Sequence, residues 1–417
     1  MAAQQVLLTE FSLRAYRSCK STSFSPDPRI TALIGPNGSG KTNVLQGLML
    51  FCGIQRRPYR RDEDDVFSLK SQVLATFTVR KQPIRFRTSI VYRPTDQNRD
   101  EVLQSQEEWN FKAITGKDTW FELPPYREAR YWSSKHRPSR PYFFVTASRN
   151  RRMLRKVPRL SQLIWKALDS IHDFRSRTVY YRASQFTNPS LCPSSFEIDE
   201  DGDLYAQGSS ESRSQEHLQF IHQLYRMYKD QRDLYSSYMS FVNERGVGLI
   251  GKIHWKETKL STKAYEVRAG GRVIAKTRDR LLIVPTVQIG ESQLSFAQLS
   301  EGTFRTLAVL FYVVTDKSRL LLIEEPEVCV HHGLLASVLD IVREYSAEKQ
   351  ILFSTHSETV LDKLDPEQVR LVSRLKSGTH VNSISKKMSA RRFDALKTYL
   401  KTEGSLGEYW RLSGFDE

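Results

Sequence analysis

Gly35-Pro36-Asn37-Gly38-Ser39-Gly40-Lys41-Thr42 satisfies every required position of the phosphate-binding pattern G-x-x-x-x-G-K-[ST]. Glycines let the backbone bend so that successive N–H groups point inward at phosphate oxygens. A helix starting at the end of the loop adds the positive end of its dipole. Lys41 supplies a point charge for the β- and γ-phosphates, and the Thr42 hydroxyl is an oxygen ligand for Mg²⁺. The flanks agree with this reading. Residues 29–34 form a short apolar run suited to a buried strand, and residues 44–50 carry an apolar face at helical spacing. Strand, loop and helix in this order predict an α/β fold of the P-loop NTPase class, with the stretch from Gly35 to Asn43 holding a nucleoside triphosphate.

Length and composition set the bounds. A chain of 417 residues can bury a sizeable core and hold two or three domains. The formal charge of +16 points to an acidic partner, of which nucleic acid is the commonest. Cys19, Cys52, Cys192 and Cys329 are far apart and form no C-x-x-C pair, which fits a reducing cytoplasm rather than a zinc site or disulfide scaffold. The N-terminus lacks a signal-peptide pattern, and the longest apolar run, 307–314, is short of the ~20 residues that span a bilayer.

Along the chain, residues 6–13 alternate as a strand, with 21–24 as its partner. The Tyr16-Arg17 pair ahead of the phosphate loop suits either nucleotide contact or strand-end packing. A basic knot at 56–61 is followed at once by an acidic run at 62–65, so the two read as a self-neutralising loop. Residues 71–80 and 83–92 predict an antiparallel pair, and 93–126 a long loop or insertion. Residues 127–159 are the most basic part of the chain. Eleven cations, among them Arg127, Arg130, Arg151, Arg152 and Arg155, are opposed by Glu128 alone and interleaved with aromatics. That pattern fits nucleic-acid phosphates and stacked bases, an acidic protein, or a solvated face. Residues 160–174 have helical spacing, 178–182 read as a strand, and 216–242 as one long helix. Residues 246–289, with Gly270-Gly271 as a turn, read as strands returning to the main sheet. No heptad repeat persists.

Two further segments complete a nucleotide site. Ser300-Glu301-Gly302-Thr303 precedes an apolar helix at 304–314; the same residues serve an anion site or a plain helix cap, with Ser300 as cap and Thr303 three residues in. Residues 319–323 form an apolar strand that delivers Glu324 and Glu325 at its C-terminal end. Two adjacent acids there suit Mg²⁺-dependent phosphate chemistry, one for the metal and one for the attacking water. A further apolar strand, 350–355, ends at His356, on the edge where α/β sheets place their sites. His331 and His332 follow the acidic turn.

The order of phosphate loop, Leu-Ser-x-Gly at 299–302, strand with paired acids and Thr355-His356-Ser357 resembles an ATP-binding-cassette (ABC) ATPase. It is similar to the soluble branch containing RecF, Rad50/SMC heads and overcoming-lysogenization (OLD) proteins. Within it, Leu-Ser-x-Gly-Thr and Ile-Glu-Glu-Pro-Glu look most like the compact bacterial AAA-family ATPases of anti-phage pairs such as Septu and PARIS. The resemblance covers residues 1–92 and 280–417. It implies an ABC ATPase head with a mixed sheet, an N-terminal antiparallel sub-sheet and an inserted helical lobe. The expected division is a first core half at 1–92, an insertion at 93–279 and a second core half at 280–417.

The resemblance also implies roles. Lys41 and Thr42 bind phosphates and Mg²⁺, Glu324 is the metal-side acid, Glu325 the general base and His356 the γ-phosphate sensor. Ser300 and Gly302 contact ATP held by a second protomer, in a head-to-head homodimer. Glu301 and Thr303 stand where transporters have Gly and Gln, which argues against transport; Gln185 is the candidate for the metal-linking glutamine. The implied function is an ATPase controlling a nearby-encoded effector, a nuclease or toxin, in bacterial defence. A RecF-like repair ATPase and an OLD-like nuclease are the alternatives. OLD nucleases carry a further acidic domain, for which the about sixty residues after His356 are too few.

Overall fold

The computed structural model describes residues 6–53, 71–79, 84–94, 103–113, 121–122, 167, 170–171, 173–182, 186–199, 201–204, 212–268, 272–315, 318–328, 330, 332–402 and 404–413. The chain divides into two compact units. One comprises 1–182, 317–326 and 342–417; the other comprises 183–316 and 327–341.

In the first unit, β1 (Val6–Tyr16) pairs antiparallel with β2 (Cys19–Phe24), as the alternation predicts. β3 (Ile30–Ile34) is buried at every position and feeds the phosphate loop, which opens α1 (Lys41–Gly53). β4 (Ser71–Val79) pairs with β1 and with β5 (Ile84–Pro94). Within the stretch read as a long loop or an insertion, the sheet continues, with β6 (Leu103–Ala113) on β5 and β7 (Phe121–Glu122) on β6. Its polar composition hid a strand whose eleven-residue register against β5 is unbroken. β8 (Val179–Tyr181) follows a helical stretch that is described only at 167, 170–171 and 173–176.

The second unit opens with β9 (Phe196–Ile198). The helix expected over 216–242 is two, α2 (Ser212–Asp230) and α3 (Arg232–Val242), broken at Gln231 (φ −137°, ψ 60°). The break falls in the wholly polar run 229–233, where no apolar side chain anchors the helix to a core. β10 (Lys252–Arg268) and β11 (Arg272–Ile289) form a long antiparallel hairpin. It does not return to the main sheet; with β9 and β12 (Ser292–Leu294) it makes a sheet of its own. α4 (Glu301–Thr315) buries Phe304, Leu307, Leu310 and Phe311; Phe304 and Phe311 meet Phe220 of α2, and Phe311 meets Tyr238 of α3. The Tyr238 hydroxyl donates to the Leu307 carbonyl at 3.0 Å.

Returning to the first unit, β13 (Leu320–Glu324) leads on to α5 (His332–Tyr345), whose residues to Ile341 belong to the second unit. There follow β14 (Gln350–Thr355), α6 (Glu358–Leu361), β15 (Val369–Leu375), β16 (Gly378–Ser383), α7 (Ile384–Lys387), α8 (Ala390–Thr402) and α9 (Leu406–Ser413). The central sheet runs β16-β15-β3-β14-β13-β8, with every pair parallel except β15–β16. Its inner strands are continuous apolar runs because both faces are covered. α1 carries Leu45, Leu48 and Phe51 into the core shared with both sheets, where Phe51 stacks on Phe77 of β4 at 5.7 Å. Arg175 closes the C-terminal end of α1 by donating to the Phe51 carbonyl at 2.9 Å.

The first unit is thus a mixed α/β unit in which a strand–loop–helix phosphate-loop element joins a mainly parallel central sheet, with an N-terminal antiparallel sub-sheet. The basic segment 127–159, the loop at 56–65, Gln185, His331 and the turn Gly270-Gly271 lie outside the described residues.

Candidate functional site

Three parallel strands end side by side, and their C-terminal ends carry the site. β3 leads into the phosphate loop, β13 ends at Glu324, and β14 ends at Thr355 just before His356. β14 lies between the other two, so register alone brings Ile34, Glu324 and Thr355 to one edge.

The loop is clamped by neighbours from distant sequence. A side chain at Gly40 would meet the Thr379 hydroxyl at 2.2 Å, and its φ of +105° suits glycine alone. A Cβ at Gly35 would lie 2.1 Å from the Val372 carbonyl. Thr379, at the start of β16, donates to the Ser39 carbonyl at 3.0 Å and lies 2.8 Å from the Ser18 hydroxyl, which donates to it. The Asn43 amide donates to the same Ser18 at 2.7 Å, and Arg17 donates to Asn43 and Gln46. Arg17 and Ser18 therefore brace the loop and the first turn of α1. The Lys41 ammonium is buried and donates to the carbonyls of Gly35 (2.7 Å) and Pro36 (3.2 Å), which holds it across the loop.

The Thr42 hydroxyl donates to Glu324 Oε1 at 2.5 Å, and the Tyr180 hydroxyl of β8 donates to Glu324 Oε2 at 3.1 Å. Both carboxylate oxygens are thereby oriented. Hydroxyl and carboxylate are hard oxygen donors, the chemistry Mg²⁺ takes when one or two protein ligands join substrate phosphates. Among the described residues no group of three or more His, Cys, Asp or Glu could hold a metal unaided, so these oxygens suit a cation shared with a ligand.

Glu325 lies one residue past the strand in the left-handed region (φ 45°). Its N–H donates to the Ser354 carbonyl at 3.0 Å, which holds the strained backbone in place. The kink turns its carboxylate toward His356, whose Nδ1 is 3.8 Å from Glu325 Oε1. His356 is half exposed and Glu325 partly buried.

Of the residues singled out from sequence, Gly35 to Asn43, Glu324, Glu325 and His356 gather at this edge of the first unit. Ser300 and Gly302 belong to the second unit. Ser300 caps α4, its hydroxyl accepting from the Thr303 N–H at 3.2 Å, and it stays exposed. Sequence reasoning passed over Tyr180, Thr379 and Ser354. Tyr180 had a faint signal, a tyrosine on a short strand; the other two had none.

The family model described as "AAA domain, putative AbiEii toxin, Type IV TA system" matches residues 30–362. Two curated relatives, the DNA replication and repair protein RecF of Pseudomonas fluorescens strains Pf0-1 and Pf-5, are each 49% identical over 43 residues. That segment is 10% of this chain and 12% of each RecF, so the chain spans only a small part of these relatives by sequence. Among solved structures, an SMC head bound to the C-winged helix domain of ScpA covers 94% of this chain and 99% of its own, at 12% identity and a TM-score of 0.44. The SMC head domain from Thermotoga maritima covers 90% and 98%, at 13% identity and a TM-score of 0.37. With the family model spanning most of its length and the strand-end site in place, this chain belongs to the AAA-domain family so described, with a P-loop as its phosphate-binding element.

Proposed function

We propose that this ATPase works as a nucleotide-gated switch in which ATP closes two heads together and hydrolysis releases them. One observation carries the reading. Thr42, Glu324, Glu325 and His356 converge on one strand edge, so binding, metal and water-activating groups serve a single triphosphate.

In this reading Lys41 leaves the loop carbonyls for the β- and γ-phosphates. Thr42 and Glu324 hold Mg²⁺, which when bound offsets phosphate charge. Glu325 takes the proton from the attacking water, and His356 contacts the γ-phosphate and senses its loss. The exposed α4 N-terminus, with Ser300 and Gly302, meets the triphosphate of a second copy, which makes the homodimer a condition for turnover.

The switch acts on an effector encoded nearby, a nuclease or toxin, in bacterial anti-phage defence. The family description, which names a putative toxin and a type IV TA system, supports this assignment. A RecF-like role at DNA is the second reading, favoured by the 43-residue match to RecF. In either, residues 127–159 are a candidate nucleic-acid contact.

Purified Glu325→Gln protein tests the core of this reading. Hydrolysis falls by about 10²–10⁴, as loss of a general base implies. Mg²⁺-ATP now accumulates a dimer by light scattering, whereas Lys41→Ala fails to bind ATP. Phosphate release at the normal rate from Glu325→Gln would remove Glu325 from its role.

A further inference from the structure

β15 runs on past the strand that feeds the phosphate loop. It pairs in parallel with β3 up to Leu371↔Ile34 and continues to Leu375, where β16 folds back from Gly378. Beyond Leu371 the hairpin lies against the loop. The Val372 carbonyl abuts Gly35, where a Cβ would come within 2.1 Å of it. On the returning strand, Thr379 donates to the Ser39 carbonyl at 3.0 Å. Between these two contacts, Arg374 donates from Nη1 to the Gly38 carbonyl at 3.4 Å.

Arg374 is the group in this wall that the loop's architecture does not require. It is exposed, and among the described residues its guanidinium has no carboxylate partner and no bond besides the one to Gly38. Pro36, Asn37 and Gly38 are the exposed part of the loop. A Cβ at Gly38 would meet nothing within 4 Å, so there is room beside the guanidinium. Lys41 reaches the same stretch from inside, donating to the carbonyls of Gly35 at 2.7 Å and Pro36 at 3.2 Å. One buried cation and one exposed cation thus hold neighbouring carbonyls of a single loop. A phosphate oxygen is a stronger acceptor than a neutral carbonyl, because bonds between ionised partners are roughly twice as strong. An arginine bonded to one carbonyl keeps most of its N–H donors for an anion, in a planar fork that matches phosphate geometry.

We propose that Arg374 is a nucleotide-binding residue, which turns from the Gly38 carbonyl to the terminal phosphate of the bound triphosphate. The lysine of such a loop serves the β- and γ-phosphates. Arg374 meets the loop beside the carbonyls that Lys41 holds, from the solvent side, and so flanks the same end of the ligand. Its guanidinium then distinguishes a triphosphate from a diphosphate, which lacks the group it binds. During turnover it offsets charge on the transferred phosphoryl group. The inference rests on the phosphate-loop part of the switch reading and is independent of the homodimer and of the effector.

The test measures binding of a fluorescent non-hydrolysable ATP analogue and of fluorescent ADP to the full chain, each with Mg²⁺. Arg374→Gln should bind the ATP analogue at least about tenfold more weakly, and ADP less than about threefold more weakly. Retained ADP binding shows that the variant is folded. Arg374→Lys, which keeps the charge and loses the fork, should fall between Arg374→Gln and the parent protein. Arg391→Gln, an equal loss of charge at an exposed position of α8, should match the parent for both nucleotides. Parental affinity of Arg374→Gln for the ATP analogue overturns the proposal. Equal losses for both nucleotides overturn it too and make Arg374 a brace of the loop. A loss as large in Arg391→Gln does the same and assigns the effect to net charge. Lys41→Ala separates this outcome from the reading beneath it. Binding by the parent that Lys41→Ala abolishes keeps the phosphate-loop reading, whatever Arg374 does. Binding absent from the parent, or undiminished in Lys41→Ala, overturns both.

Discussion

Glu324 is held at both oxygens, by Thr42 on one side and Tyr180 on the other. The tyrosine acts through the carboxylate it orients. Such supporting hydrogen bonds typically contribute ten- to hundredfold to metal affinity. Tyr180→Phe should therefore raise the Mg²⁺ concentration for half-maximal ATP turnover by about tenfold or more, with maximal turnover at saturating Mg²⁺ much less affected. A Mg²⁺ titration identical to that of the parent would show that Tyr180 does not position the acid. Glu325 shows the complementary device. Its left-handed backbone costs on the order of 1–3 kcal/mol, and the bond to Ser354 retains it.

At the scale of elements, α2 and the turn that follows β9 are joined through a buried histidine. His222 donates from Nε2 to the Gly202 carbonyl at 2.8 Å, packs edge-on against Phe196, and faces Arg226, Asp203 and Asp199. Burial, above all, holds its imidazole below the ordinary histidine pKa, with Arg226 adding to the effect against the opposing acids. The native state thus binds the proton less readily than the unfolded chain. Stability is complete above the ordinary pKa of about 6.5 and declines as pH falls below it, down to the lower native value. His222→Gln keeps a donor for Gly202 without a titrating ring. Its melting temperature should fall less than the parent's between pH 7 and 5, and equal slopes would exclude His222 as the cause.

Across the whole first unit, Gln350 is the buried fastener between the two sheets. Its side chain accepts from the Leu8 N–H at 2.8 Å and donates to the carbonyls of Leu8 and Asp27 at 3.1 and 3.0 Å. Gln350→Leu strands three backbone groups, two of them on a residue that is 1% exposed. We expect a loss of about 2–5 kcal/mol in denaturant unfolding, since each unpaired buried group costs about 1–3. A loss below 1 kcal/mol would mean that water replaces the glutamine. The cysteines belong to the same scale. Burial raises the thiol of Cys19, pushes Cys52 up to about 11 and Cys192 up to about 12. All three should resist iodoacetamide at pH 8 in the native protein and react fully after denaturation, as mass mapping would show.

What the sequence determined by itself is the chemistry of the strand ends. The phosphate loop, Glu324-Glu325 and His356 were legible because each follows an apolar run whose length and flanks are local properties. The β1–β2 and β4–β5 pairs were legible for the same reason. Only the tertiary structure decided what closes around them. Tyr180, Thr379 and Gln350 are distant from their partners in sequence, and no local pattern marks a hydrogen bond made across 144 or 340 residues. The polar strand β6, the break at Gln231 and the separate β10–β11 sheet escaped likewise. Each depends on which neighbour offers hydrogen bonds or apolar cover, and that is set by the folded chain rather than by the segment.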